Sequence, residues 1–163
     1  EGWPDLRRAT APQPPPAAQS MMRWLLENQP PTEGRPVLLH GDIGFHNFLF
    51  DGDRLSAVLD WEFAHVGDPA EELAAVRNNL GDALDWPKFL RLYREAGGVE
   101  VSAERNHFFQ VWGHVRNALT SQLAASTFLD GGQDDLKFVL TPHIYIPHFL
   151  GSARALIARG PTD

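Results

Sequence analysis

A chain of 163 residues with 43% hydrophobic content is large enough to bury one real core, which predicts a single globular domain. The net charge of −7 and pI near 5.4 argue against a nucleic-acid binder, which needs a basic face, and the lack of cysteine excludes disulfides and thiolate chemistry. No apolar run reaches the roughly 18–20 residues that span a bilayer, and no signal peptide opens the chain; the expectation is a cytoplasmic protein with neither nucleic acid nor membrane as a partner.

Residues 1–16 hold five prolines, ending in Pro14–Pro15–Pro16. Such a run lacks amide donors and favours an extended conformation, so it is expected to form a linker or arm. The folded lobe is then expected over residues 17–160. Residues 17–29 predict a helix, because Met21, Met22, Leu25 and Leu26 recur at helical spacing. Pro30–Pro31 stops it.

The densest chemistry lies between Val37 and Pro69. The apolar run Val37–Leu38–Leu39 delivers His40, Gly41 and Asp42 to its end, and Asn47 follows five residues after Asp42. Phe48–Leu49–Phe50 and Leu55–Leu59 flank Asp51–Gly52–Asp53, a reversal whose Asp-Gly supplies the positive φ of a tight hairpin. The second arm ends at Asp60. The expectation is a strand, a loop, and a hairpin that returns Asp60 beside Asp42 and Asn47. Two carboxylates and one amide oxygen are hard ligands suited to Mg²⁺, which shares its remaining sphere with water and phosphate oxygens. Phosphoryl transfer needs such a metal and a carboxylate that accepts the proton of the attacking hydroxyl.

Helices are expected over 69–80, with Leu73, Val76 and Leu80 on one face, and from Asp85 to Gly97–Gly98. Asp85 is a good N-cap there, and Trp86, Phe89, Leu90 and Tyr93 form a stripe read as core. A long helix is expected over 102–128, capped by Ser102, with Phe108, Trp112, Val115, Leu119 and Leu123 in period. Its neighbouring face carries His107, Gln110, His114, Asn117 and Ser121, a polar and uncharged stripe that suits a groove wall orienting a small polar ligand. Gly131–Gly132 break the chain. A last helical region from about Asp134 to Arg159 is expected to break or kink at Pro142 and Pro147. His143 and His148 near those breaks are read as structural, and Gly160–Pro161 ends the domain.

The motif H-G-D-x-x-x-x-N, followed by L-D-W-E and G-D-P, resembles the aminoglycoside phosphotransferase and choline kinase family and, more distantly, the protein-kinase catalytic loop. The resemblance implies an α+β, mostly helical fold: a protein-kinase-like C-terminal lobe whose small β-hairpin region carries the catalytic loop. It implies Asp42 as catalytic base, His40 as the residue bracing that catalytic loop, and Asn47 and Asp60 as ligands of Mg²⁺ and thereby of the nucleotide. Glu62 matches a second metal contact, and Asp68 a support behind the site. The cofactors implied are Mg²⁺ and ATP or GTP. The acceptor is a small-molecule hydroxyl, and the stripe of His107, His114 and Asn117 is expected to touch it.

The family carries a Gly-rich loop and a phosphate-contacting lysine on a small N-terminal lobe. Here the two lysines, Lys88 and Lys137, both follow the motif, and no G-x-G-x-x-G occurs. The expectation is therefore a C-terminal lobe whose nucleotide-binding N-terminal lobe is supplied by the same parent chain or a separate one. Two other readings stand beside this one. A kinase-like binding module without catalysis would have no chemical need for Asp42, Asn47 and Asp60. A metal-dependent phosphoesterase would draw on His40, Asp42, His46 and Asp60 with His65 recruited, and two-metal sites need further ligands.

Overall fold

The computed structural model describes residues 13–31, 34–129 and 137–162, so most of the expected proline-rich arm lies outside the described residues. Helices dominate: α1 (Pro16–Glu27), α2 (Pro69–Leu80), α3 (Trp86–Glu95), α4 (Ala103–Leu129) and α5 (Lys137–Arg159). The strands are short: β1 (Val37–Leu39), β2 (Phe48–Asp51), β3 (Arg54–Val58) and β4 (His65–Gly67). The expected α+β, mostly helical class holds.

The chain divides into two compact units, one formed by Glu1–Asn28 with His114–Arg159, the other by Gln29–Gly113 with Gly160–Asp163. In the second unit β2 and β3 form the expected hairpin, with Asp51 paired to Arg54 and Gly52 at φ +58° supplying the reversal. The first strand does not join that hairpin. β1 pairs antiparallel with β4, in the register Val37 to Gly67 and Leu39 to His65. The three-residue β4 carries too few residues for alternation to be read from sequence, which is why it was not foreseen.

α2 has the expected bounds. Pro69 takes its first turn, and the Asp68 carboxylate accepts from the Ala70 N–H at 2.9 Å, capping it. Leu73, Ala74 and Val76 are buried. α3 is capped as expected by Asp85, which accepts from the Lys88 N–H. Its stripe is not core, however, because no α3 residue is buried. Trp86, Phe89, Leu90 and Tyr93 are half-exposed, as a ten-residue helix covering a cavity leaves them. α4 begins as read, with the Ser102 hydroxyl accepting from the Arg105 N–H.

In the first unit α1 lies against α5, and Ala18, Met21, Val115, Ala118, Leu150, Ala153 and Leu156 are buried. α1 starts one residue before and ends two before the expected span. Proline can occupy the first turn, where its missing N–H costs nothing. α5 corrects one half of the expected break or kink: the helix is not broken at either Pro142 or Pro147. Each proline removes one helical bond, but packing of the small Ala153 and of Leu150 and Leu156 holds the helix together. The expected start at Asp134 lies outside the described residues.

His114, in this unit, has no hydrogen-bond partner for Nδ1 among the described residues, and its ring lies 6.1 Å from that of Phe149. Burial, with His148 adding repulsion, lowers its pKa from 6.5 to about 4. Between those two values the unfolded chain holds the proton and the folded chain does not, so stability falls as pH drops through that window. Thermal midpoints measured from pH 7 to pH 4.5 should decline, and His114→Gln should flatten the slope.

Candidate active site

The site grows from β1, which ends on Leu39, the largest side chain buried there, and so anchors the loop that follows. His40 is 3% exposed. Its backbone N–H donates to Glu72 Oε2 on α2, its ring lies 4.7 Å from Trp61, and its two ring nitrogens have opposite roles. Nε2 donates to the Leu59 carbonyl at 2.7 Å, and Nδ1 accepts from the Asp42 N–H at 3.3 Å. His40 therefore ties the start of the loop to the residue that follows β3.

Gly41 is required between them. It sits at φ +82°, and a Cβ there would fall 2.4 Å from the Phe63 carbonyl oxygen. Both the left-handed backbone and the close approach exclude a side chain.

A single 3₁₀ turn, Phe45–Asn47, closes the loop. Asn47 is buried, and its amide N–H₂ donates to the Asp42 carbonyl at 2.8 Å and to Asp42 Oδ2 at 3.3 Å. With its donors engaged, Asn47 Oδ1 remains as an acceptor oxygen. The Asn47 carbonyl accepts the Leu59 N–H at 2.8 Å. Leu59 is thus held on both sides, by His40 through its carbonyl and by Asn47 through its N–H, and Asp60 is the next residue.

Asp60 adopts φ +64°, the sole positive φ outside glycine among the described residues. Aspartate tolerates this region better than most residues, though such strain concentrates at functional positions. Its carboxylate is exposed and caps nothing, even though Asp60 precedes the 3₁₀ turn Trp61–Phe63. Glu62, in that turn, is exposed too. The donor set of Asn47 Oδ1 and the Asp60 carboxylate fits a hard divalent cation completed by water and phosphate oxygens. Among the described residues no three His, Asp or Glu side chains converge as a metal cluster.

Three contacts were not anticipated. His46 Nε2 lies 3.3 Å from Asp42 Oδ2. Glu72 holds the His40 amide. Asp68 is gripped by Arg105 from α4 at 2.5 Å. The last two pairs span dozens of residues and leave no local periodicity to read. Asn79 also donates to the Ile43 carbonyl at 2.7 Å, so α2 holds the loop at two points. His65 is committed elsewhere, with Nδ1 on the Phe63 carbonyl at 2.9 Å and Nε2 3.1 Å from Glu71.

The expected acceptor stripe is divided between the units. His107 and Gln110 are buried in the unit that carries the loop. His114 and Asn117 are half-buried in the other. Their contact with an acceptor is a proposal.

The model of the phosphotransferase enzyme family matches residues 1–108. Acyl-CoA dehydrogenase family member 11 of Pongo abelii is 38% identical over 89% of this chain and 21% of its own length. Viomycin phosphotransferase of Streptomyces vinaceus is 45% identical over 29% of this chain and 18% of its own. In fold, the chain is similar to a crystal structure assigned as an aminoglycoside phosphotransferase from Ralstonia eutropha, with TM-score 0.74, 19% identity, and coverage of 93% of this chain and 51% of that one. It is also similar to a thermostable mutant of aminoglycoside phosphotransferase APH(4)-Ia in ternary complex with AMP-PNP and hygromycin B, with TM-score 0.53, 21% identity, and coverage of 87% and 42%. The chain thus spans about a fifth of the first relative and about half of the first structure.

Proposed function

The chain belongs to the phosphotransferase enzyme family, and from that premise we propose that it is the catalytic C-terminal lobe of a small-molecule kinase moving the γ-phosphate of ATP, or of GTP, to a hydroxyl. The observation that supports the reading is the double anchoring of Leu59 on His40 and Asn47, which ties the residue before Asp60 to the Asp42–Asn47 loop.

In this reading the Asp42 carboxylate orients the acceptor hydroxyl and takes its proton. The hydroxyl oxygen bonds to the γ-phosphorus as the bond to the β–γ bridging oxygen breaks, and the nucleoside diphosphate leaves. Asn47 and Asp60 would hold Mg²⁺, with Glu62 within the same turn as a further carboxylate. The bound ion would neutralise charge on the phosphates. Asp68 supports the site from the start of α2, and His107, His114 and Asn117 would face the acceptor.

The exposed apolar side chains Phe45, Leu49, Phe50, Leu55, Trp61 and Phe63 gather around this loop and its hairpin. Apolar surface of that kind marks an interaction face, which suits a nucleotide-binding lobe supplied by the longer protein. No helix among the described residues is long and apolar enough to cross a membrane.

The test is a screen of the full-length protein with ATP and Mg²⁺ against a panel of small alcohols, following nucleoside diphosphate release. Acceptor-dependent release that EDTA abolishes is expected. A metal-independent release, or none with any acceptor, would remove the reading.

A further inference from the structure

The Asp42 carboxylate is held by one oxygen. Asn47 Nδ2 and His46 Nε2 both lie 3.3 Å from Oδ2, and among the described residues no hydrogen bond reaches Oδ1. The two donors differ in what else they do. Asn47 makes its shorter bond, 2.8 Å, to the Asp42 backbone carbonyl, so its hold on the carboxylate is secondary. The His46 ring has Oδ2 as its one hydrogen-bond partner among the described residues. A carboxylate only accepts, so Nε2 carries the hydrogen of that bond.

The ring is seated by the residue two before it. Gly44 is buried, and the three atoms nearest to a Cβ added there all belong to the His46 ring, with Cε1 at 2.6 Å and Nδ1 at 2.8 Å. The backbone at Gly44, φ −176° and ψ 166°, is extended and open to any residue. The close seat of the ring is therefore what calls for glycine at this position. The 3₁₀ turn Phe45–Asn47 then carries both donors to the same oxygen.

This arrangement adds little to stability. The His46 and Asp42 side chains are 62% and 38% exposed, and a pair that open is worth little. Its effect is on orientation. The last torsion of an aspartate is broad and roughly two-fold, so an unheld carboxylate offers either oxygen over a range of directions. A general base has to stand within hydrogen-bond reach of the proton it takes, and two donors on Oδ2 fix where Oδ1 stands.

We infer that His46 is a positioning residue, which pins Oδ2 of Asp42 so that Oδ1 is the oxygen that meets the acceptor hydroxyl. The inference rests on the phosphotransfer reading of this site. In the transfer the hydroxyl proton passes to Oδ1, the hydroxyl oxygen bonds to the γ-phosphorus, and the bond to the β–γ bridging oxygen breaks. His46 keeps its Nε2 proton throughout.

The test uses the full-length protein with ATP and Mg²⁺ and two acceptors: water alone, and the small alcohol that gives the fastest nucleoside diphosphate release in the panel. His46→Ala should lower kcat about tenfold with both, the size of one hydrogen bond to a charged group, and leave the KM for ATP and the thermal midpoint unchanged. His46→Gln, whose amide offers an N–H at similar reach, should keep most of the rate. Gly44→Ala should match His46→Ala, because its methyl group displaces the ring, and in a His46→Ala background it should cost nothing further. Undiminished kcat in His46→Ala beside a slow Asp42→Asn would overturn the positioning role and leave the phosphotransfer reading standing. A slow His46→Gln, or losses from Gly44→Ala and His46→Ala that add, would overturn it in the same way. No release from the parent protein with either acceptor would overturn both.

Discussion

Asp42→Asn should lower kcat by about 10²–10⁴-fold, the range that general-base catalysis supplies, with the fold and nucleotide affinity kept. The substitution removes a proton acceptor and little else. The Asn47 amide still has the Asp42 backbone carbonyl at 2.8 Å, so the loop keeps its main internal bond. The contact with His46 at 3.3 Å is lost, but those side chains are 62% and 38% exposed, and an ion pair that open contributes little. The bond from the Asp42 N–H to His40 is made by the backbone and survives. Rate and unfolding measurements on the full-length variant separate the two effects. A variant with undiminished kcat would remove Asp42 from the chemistry, and a variant that unfolds would show that the carboxylate is structural.

Arg105→Ala should destabilise the chain by about 3–5 kcal/mol, the usual cost of removing one partner from a buried ion pair. Arg105 and Asp68 are 6% and 18% exposed at their side chains. Removing the guanidinium leaves the Asp68 carboxylate poorly solvated at the start of α2. Its other oxygen still accepts the Ala70 N–H, which keeps the cap while the charge loses its partner. Because α2 also holds the loop through Glu72 and Asn79, activity should fall with stability. Replacing both residues, as in Asp68→Asn with Arg105→Met, should recover part of the loss, since the pair itself adds less than its disruption costs. Denaturant unfolding of both variants measures this, and an Arg105→Ala chain as stable as the parent would show the pair to be idle.

Much of the site could be read from residue order alone. His40, Asp42, Asn47 and Asp60 sit at spacings that a loop and a tight hairpin impose, and the Asp-Gly reversal at 51–52 fixed the hairpin register locally. The caps at Asp85 and Ser102 were legible for the same reason, because a cap is satisfied by an amide three residues away. The polar stripe of α4 reads as one uniform face in sequence and is unevenly buried in the structure. A helical wheel shows which residues share a face and says nothing of what covers it, so buried His107 and half-buried His114 looked alike. The aromatic stripe of α3 misled, since its spacing matched a core helix and none of its residues is buried.

The sequence by itself determined the chemistry: which oxygen donors exist, which turns bring them near, and which helices begin and end where. These are short-range properties, set by backbone dihedrals and by hydrogen bonds between near neighbours. Tertiary structure alone decided that β1 pairs with β4 rather than with the hairpin, that Arg105 answers Asp68, and that α5 continues through two prolines. Each of those depends on groups far apart in the chain, where pairing and burial outweigh local preference, and no pattern within a window of residues carries that information.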